Sequence, residues 1–398
     1  MSDNPQPLED ITVLDFTQIM AGPFCTMLLA DMGADVIKIE KPSGDDIRGI
    51  GPPFINGESA AFLQINRNKR SIVMDLKHTD SYDVISRMIS KADIIVQNFR
   101  PGVMENLNLD YDSVRKFNQS IIYCSISGFG TTGPYKKRPG FDLVTQGMSG
   151  IMSLTGEPGG DPTKTGVPIT DLNAGFYAAY GILNAYIQRL KTGKGQLVDT
   201  SLLEGGLAYT FWESAIFFAT GISPSPAGSA HRLTAPYQSF STIDGHINIG
   251  AATQANWIRL CGAIDRPDLL NDKKFDTNTD RMEHLEELQA NLNQTFRSKT
   301  TTEWLNILEL AGVPCGPVYN IEQAYNDPQV LSRNMVVEIE HPIAGLIKNI
   351  GIPVKLHDTP GSIRRPAPTL GQHTDEILAQ FGYTQEESRS HRAGGFVK

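Results

Sequence analysis

The sequence predicts an α/β protein: a large domain on a doubly wound, Rossmann-like parallel sheet, with a smaller α+β domain. Three observations predict it. Over the first 130 residues, short β-branched apolar runs alternate with helix-forming segments, which implies parallel strands joined by helical crossovers. The chain has 398 residues, enough for two domains and a substantial core. A Gly/Ser/Pro-rich stretch at residues 221–228 then separates this part from a region with different patterning. The expected division is a large domain over residues 1–220 completed by 331–398, with the linker and small domain at 221–330.

Each element has its own local signal. Residues 11–16 (ITVLDF) read as the first strand, and Pro23 stands where a helix can begin without losing a hydrogen bond. Residues 24–32 continue that helix to a Gly33 stop. Strands follow at 36–39, 71–76, 93–97 and 121–126, with helices over 81–91 and 111–117 between them. A long apolar helix spans 172–190, a strand 196–201, and another apolar helix 202–219. Beyond the linker, residues 237–250 suggest a hairpin turning at Asp244-Gly245, followed by helices near 254–264, 280–297 and 302–310. Strand-like 336–339 and 347–354 and a helix after Gly371 are expected to return to the first domain.

Composition narrows the function. Hydrophobic content of 40% and charged content of 20% are ordinary for a soluble globular protein, and no 18-residue apolar span marks a membrane helix. The first residues lack the character of a signal or transit peptide, so the expected location is the cytoplasm. Four scattered cysteines form no C-x-x-C pair, and the histidines show no metal-ligand spacing, so no metal site is expected. Net charge is −9, yet residues 36–140 carry 15 Lys and Arg against 11 Asp and Glu. A basic region on an acidic protein suits a small polyanion better than nucleic acid.

Asp171 is the most isolated charge in the chain. It opens a small-residue, apolar stretch in which no other charge occurs until Arg189. The local reading is a helix N-cap, because an Asp oxygen accepts an unpaired first-turn N–H. The chemical reading is a carboxylate kept dry for nucleophilic attack, and the two are compatible. Residues 128–133 fit G-x-G-x-x-G and follow a strand, but Pro134 and Pro139 deny it the helix that a dinucleotide site needs. A nicotinamide-dependent oxidoreductase is therefore a weak alternative. The sheet instead directs attention to the segments after its strands: 18–23, 40–42, 98–102 and 127–130.

At these residues the sequence resembles the class III CoA-transferases, the group that includes formyl-CoA, carnitine and bile-acid CoA-transferases. The resemblance runs through VLDFT (13–17), AGP (21–23), LADMGADVIKIE (29–40), NKRS (68–71), NFRPG (98–102) and SGFGTTGP (127–134). It continues in order through RPGFD (138–142), DLNAG (171–175), GKGQ (193–196), GVPCGP (312–317) and LGQHTD (370–375). It implies that Asp171 is the nucleophile, forming a mixed anhydride with the donor acyl group and then an aspartyl-CoA thioester. It implies CoA contacts at Gln18, Met20, Ala21, Lys41, Met74, Lys77, Asn98, Phe99, Arg100, Arg138 and Phe141. Chemically, Lys41, Lys77 and Arg138 suit phosphates, and Phe99 suits an adenine face. It also implies an interlocked homodimer, with acyl-CoA and carboxylic acid as substrates and no permanently bound cofactor.

Two departures refine the expectation. The family's 2-methylacyl-CoA racemases carry a histidine where Phe141 stands, and a phenyl ring abstracts no proton. The oxalate-specific members have a glycine run where residues 227–232 carry only Gly228, and a glutamine where Met20 stands. His231 or Arg232 is then expected to meet a distal acceptor carboxylate, as in a dicarboxylic acid. A non-catalytic CoA-binding protein is the competing class, for which loss of Asp171 would be the signature.

Overall fold

The structure, a computed structural model, describes residues 5–398. Its centre is a six-stranded sheet formed by β1 (Thr12–Asp15), β2 (Asp35–Glu40), β3 (Lys69–Val73), β4 (Ile94–Gln97), β5 (Ile122–Ser127) and β6 (Leu197–Ser201). The order is β3-β2-β1-β4-β5-β6 and every neighbouring pair is parallel. Strand order reverses between β1 and β4, which opens a crevice at their carboxyl ends. That is the doubly wound sheet the alternating pattern predicts.

Both faces of the sheet are covered, so its strands read as apolar on both sides. On one face Leu14, Ile37, Ile72 and Ile95 pack with Val84, Ile85 and Met88 of α2 (Ser81–Lys91) and with Ile377 and Leu378. On the other, Val13, Val36, Val96 and Cys124 meet α1 (Ala21–Asp31) and α4 (Ile169–Thr192). Between α2 and α4 lies the short α3 (Asp142–Met148). The third strand begins at Lys69, earlier than its apolar run suggests, because buried partners satisfy its charged residues. Nor is 202–219 one helix: it divides into Leu202–Leu207 and Phe211–Thr220.

The chain forms two compact units. The first comprises residues up to Ile151, Lys164–Ala215 and Pro328–Lys398, and contains the parallel sheet. In it Asn68, at φ +64°, receives the backbone N–H groups of Arg364 and Arg365 on its side-chain oxygen, at 2.6 and 3.0 Å. The second comprises Met152–Thr163 and Ile216–Asp327. It has a three-stranded antiparallel sheet of Tyr237–Ser241, His246–Gly250 and Cys315–Pro317, over a core that includes Phe240, Trp257, Phe296 and Trp304. Its hairpin turns at Asp244, whose carboxylate receives the N–H and hydroxyl of Thr301.

Gly175 lets α1 and α4 approach closely. A Cβ there would lie 2.4 Å from the carbonyl oxygen of Ala21, a backbone atom that cannot swing aside. Gly175→Ala is therefore expected to lower stability by about 1–3 kcal/mol, as overpacking does. Urea denaturation checks this, and an unchanged midpoint would refute the tight-contact account.

Candidate active site

The crevice at the β1/β4 reversal holds two adjoining cavities. One, of about 280 Å³, is lined by Gln18, Met20, Ala21, Asn98, Arg100, Arg138, Phe141 and Asp171. The other, of about 710 Å³, is lined by Lys41, Met74, Lys77 and Tyr82. Gln18 and Phe99 border both. Every residue expected from the sequence to contact CoA thus borders one of two neighbouring spaces, and Asp171 opens onto the smaller.

The loops after β1 and β4 are tied together across the reversal. Gln18 N donates to Asn98 Oδ1 at 2.8 Å, and Asn98 Nδ2 returns a bond to Gln18 O at 2.8 Å. The helix that follows, α1, has Met20 at its N-cap position with no side-chain cap. Among the described residues, no acceptor takes the N–H groups of Met20, Ala21 or Gly22. An uncapped helix start beside a cavity carries partial positive charge and donors for a developing oxyanion.

The loop from β5 to α3 brings the next wall. Gly128 and Gly140 cross so closely that a Cβ on Gly128 would lie 2.8 Å from Gly140 Cα. The glycine-rich run therefore serves a backbone crossing, which delivers Arg138 and Phe141 to the cavity. Arg138 sits 5.3 Å from the centre of the Tyr135 ring, and Phe141 is 65% exposed.

Asp171 does not cap its helix. Helix α4 begins at Ile169 with Pro168 at the N-cap position, so Asp171 lies in its first turn. Capping falls instead to Asp142, whose Oδ1 receives Thr170 N at 3.0 Å and Thr170 Oγ1 at 2.8 Å. Gln146, fully buried, holds the other Asp142 oxygen at 2.7 Å and receives Thr165 N at 2.9 Å. Among the described residues, none donates a hydrogen bond to the Asp171 carboxylate. Burial first, and then the nearby charge of Asp142, push its carboxyl up to about 7. The site holds a carboxylate that is desolvated and unpartnered, the condition for a strong oxygen nucleophile.

The remaining predicted residues have particular surroundings. Lys41 makes an exposed ion pair with Asp46 at 2.5 Å. Met74 is fully buried, so it borders the larger cavity from the core side. His231 and Arg232 lie in the second unit, where the His231 ring meets Tyr237 edge-on at 5.4 Å and Arg232 donates to Ser225 O. Among the described residues no cluster of three or more His, Cys, Asp or Glu converges to hold a metal ion. No helix among them is long and apolar enough to cross a membrane.

Two residues escaped the sequence reading. Asp142 carried a signal, because Gln146 follows at i+4 and reaches back to its carboxylate. Asp45 carried one indirectly: Lys38 stands in an apolar strand of a sheet covered on both faces, so a carboxylate had to meet it.

A family model described as CoA-transferase family III matches residues 8–374. A human succinyl-CoA:glutarate CoA-transferase is 40% identical over 95% of this chain and 86% of its own length. A succinyl-CoA:mesaconate CoA-transferase of Haloarcula marismortui is 37% identical over 94% of this chain and 96% of its own. The crystal structure of a CAIB/BAIF family protein from Brucella suis superposes with a TM-score of 0.86 at 36% identity, covering 95% of this chain and 100% of that one.

The raised pKa of Asp171 has a consequence for stability. A carboxyl whose pKa is higher in the folded state than in the unfolded state favours folding below the unfolded value, near 3.8, and loses that contribution as pH rises through about 7. Asp171→Asn is thus expected to match the native protein near pH 4 and to exceed it above pH 7. The gain is on the order of 2–4 kcal/mol. Thermal unfolding across that range checks the sign, and equal stability at pH 8 would contradict it.

Proposed function

The chain belongs to CoA-transferase family III, and we propose that it moves CoA from a dicarboxylic acyl-CoA to a second dicarboxylic acid through an aspartyl-CoA thioester at Asp171. The observation that carries this reading is the unpartnered Asp171 carboxylate, opening onto a cavity bordered by eight of the eleven residues that the family resemblance assigns to CoA. Similarity to transferases acting with succinyl-CoA and glutarate or mesaconate supports the substrate class.

The reaction balances without water. An Asp171 oxygen attacks the donor thioester carbon, the C–S bond breaks, and CoA leaves as the thiolate, giving a mixed anhydride. The thiolate attacks the Asp171 carbonyl of that anhydride and releases the donor carboxylate, which leaves aspartyl-CoA. The acceptor carboxylate attacks this thioester, forming the second mixed anhydride and freeing the thiolate. Attack of the thiolate on the acceptor acyl carbon then yields the new CoA ester and restores Asp171. Each tetrahedral intermediate places a negative oxygen where the unpaired N–H groups of Met20 and Ala21 can receive it. The thioester energy is conserved at every step, so the exchange is close to isoenergetic.

For substrate binding, Lys77 and Arg138 are proposed to meet CoA phosphates, with Phe99 against the adenine. Lys41 joins them once released from Asp46. We further propose a homodimer, interlocked as the resemblance implies. Along α4, Phe176, Tyr180, Leu183, Ile187 and Leu190 are exposed at heptad spacing. An apolar stripe of that length on a soluble helix calls for a covering surface, and a second copy of the chain supplies it.

The test of function is a panel: succinyl-CoA as donor, with glutarate, mesaconate and oxalate as acceptors, followed by chromatography of the CoA esters. Transfer to a C4 or C5 dicarboxylate is expected, with a loss of about 10³-fold or more in Asp171→Ala. Full transfer by that variant would end the nucleophile assignment. Leu183→Glu with Ile187→Glu is expected to give monomers in light scattering, and an intact dimer would argue against the α4 stripe as its interface.

A further inference from the structure

The crossing from β1 to α1 carries a conformation that its residue disfavours. Ile19 sits at φ +68°. A β-branched side chain clashes with its own backbone in the left-handed region, so surrounding contacts must impose that angle. Its side chain packs beside the cluster of Ile47, Phe62 and Leu63. Apolar packing of that kind does not by itself select a backbone dihedral; directional bonds do.

Asn98 supplies two such bonds, on Gln18 N and Gln18 O, and the two that flank them come from one buried ion pair. Ile19 N donates to Asp45 Oδ1 at 3.1 Å. Asp45 Oδ2 lies 2.8 Å from Lys38 Nζ, an ion pair between two buried charges. The same ammonium donates to Thr17 O at 2.9 Å. The pair therefore spans the crossing: Lys38 holds the carbonyl before Gln18, and Asp45 holds the amide after it. The two side chains are 0% and 1% exposed. Asp45 is fixed in turn, because Ile47 N donates to its Oδ1 and its own N–H donates to Glu40 Oε2 at 3.0 Å. A buried ion pair contributes little net stability over an apolar replacement, so geometry is its better explanation.

We propose that the Lys38–Asp45 pair is a positioning device for the transfer reaction, holding Ile19 left-handed so that the unpaired N–H groups of Met20 and Ala21 stand fixed beside Asp171. The proposal rests on the nucleophilic role given to Asp171 above. Neither side chain touches the reacting atoms. Their effect is on where the oxyanion donors lie, and a displacement of about 1 Å there costs on the order of 100-fold in rate.

The test uses the full-length protein with succinyl-CoA and glutarate. Lys38→Met with Asp45→Leu removes both charges and the acceptor of Ile19 N together, so no unpaired ion is left buried. Its kcat is expected to fall about 30- to 100-fold while the Kd for CoA, measured calorimetrically, changes less than about 3-fold. Adding Ile19→Gly to that background supplies a residue that adopts positive φ unaided, and is expected to restore kcat about 5-fold or more. A purely structural role predicts the reverse, a further loss. Near-native kcat in the double variant, or no recovery with glycine, overturns the proposal. Should the double variant not fold, Asp45→Glu keeps Lys38 paired and displaces the carboxylate by one methylene. A lower kcat at constant Kd then supports the device, and native kcat refutes it. Asp171→Asn run in parallel separates the two claims: its activity would remove the nucleophile reading, whereas an inactive Asp171→Asn beside a fully active double variant removes only the positioning role.

Discussion

Charge buried beneath the crevice is the constraint on which the site depends. Lys38 and Lys69 stand on adjacent strands, β2 and β3, and neither has solvent access. Each must find partners inside the protein, and both reach the segment from β1 to α1: Lys38 takes Thr17 O there and Asp45 from the loop after β2. Lys69 takes Asp15 at 3.0 Å, Pro23 O at 3.0 Å and Asn66 at 2.9 Å. Asp15 in turn receives the N–H and hydroxyl of Thr17 and the hydroxyl of Thr26. Satisfying two ammonium groups thus immobilises the loop that walls the Asp171 cavity.

The same logic explains the uneven treatment of carboxylates in the first unit. Asp15, Asp31, Asp45 and Glu40 are buried and paired with Lys or Arg. Asp142 is consumed by the first turn of α4. Asp171 is raised in pKa and lacks a donor, whereas Asp46, the other carboxylate lining its cavity, is paired with Lys41. A folded protein tolerates that arrangement only against its own stability, and such sites are where chemistry is done. The arrangement fits a reaction in which the carboxylate's electrons, not its proton, are wanted.

Much of this was legible in the sequence. The alternation of apolar strands and helices yields the sheet, because parallel pairing through crossovers admits few topologies. The order reversal then locates the crevice, and the motif order identifies the family. The first turn of α4 was not legible. Asp is so good a cap that its place before an apolar helix suggests one at Asp171, whereas Asp142, distant in sequence, does that work through Thr170. Nor could local patterning show that Ile19 is left-handed, since isoleucine is the last residue to suggest it. The assignment of residues 152–163 to the second unit is a tertiary fact without a compositional mark.

The central claim is the covalent role of Asp171, and intact-protein mass spectrometry tests it most directly. Enzyme mixed with succinyl-CoA and quenched in acid should carry an adduct of one CoA. Peptide mapping should place it on Asp171, and glutarate added before the quench should discharge it at the turnover rate. Turnover with no adduct, or an adduct on another residue that discharges equally fast, would contradict the account.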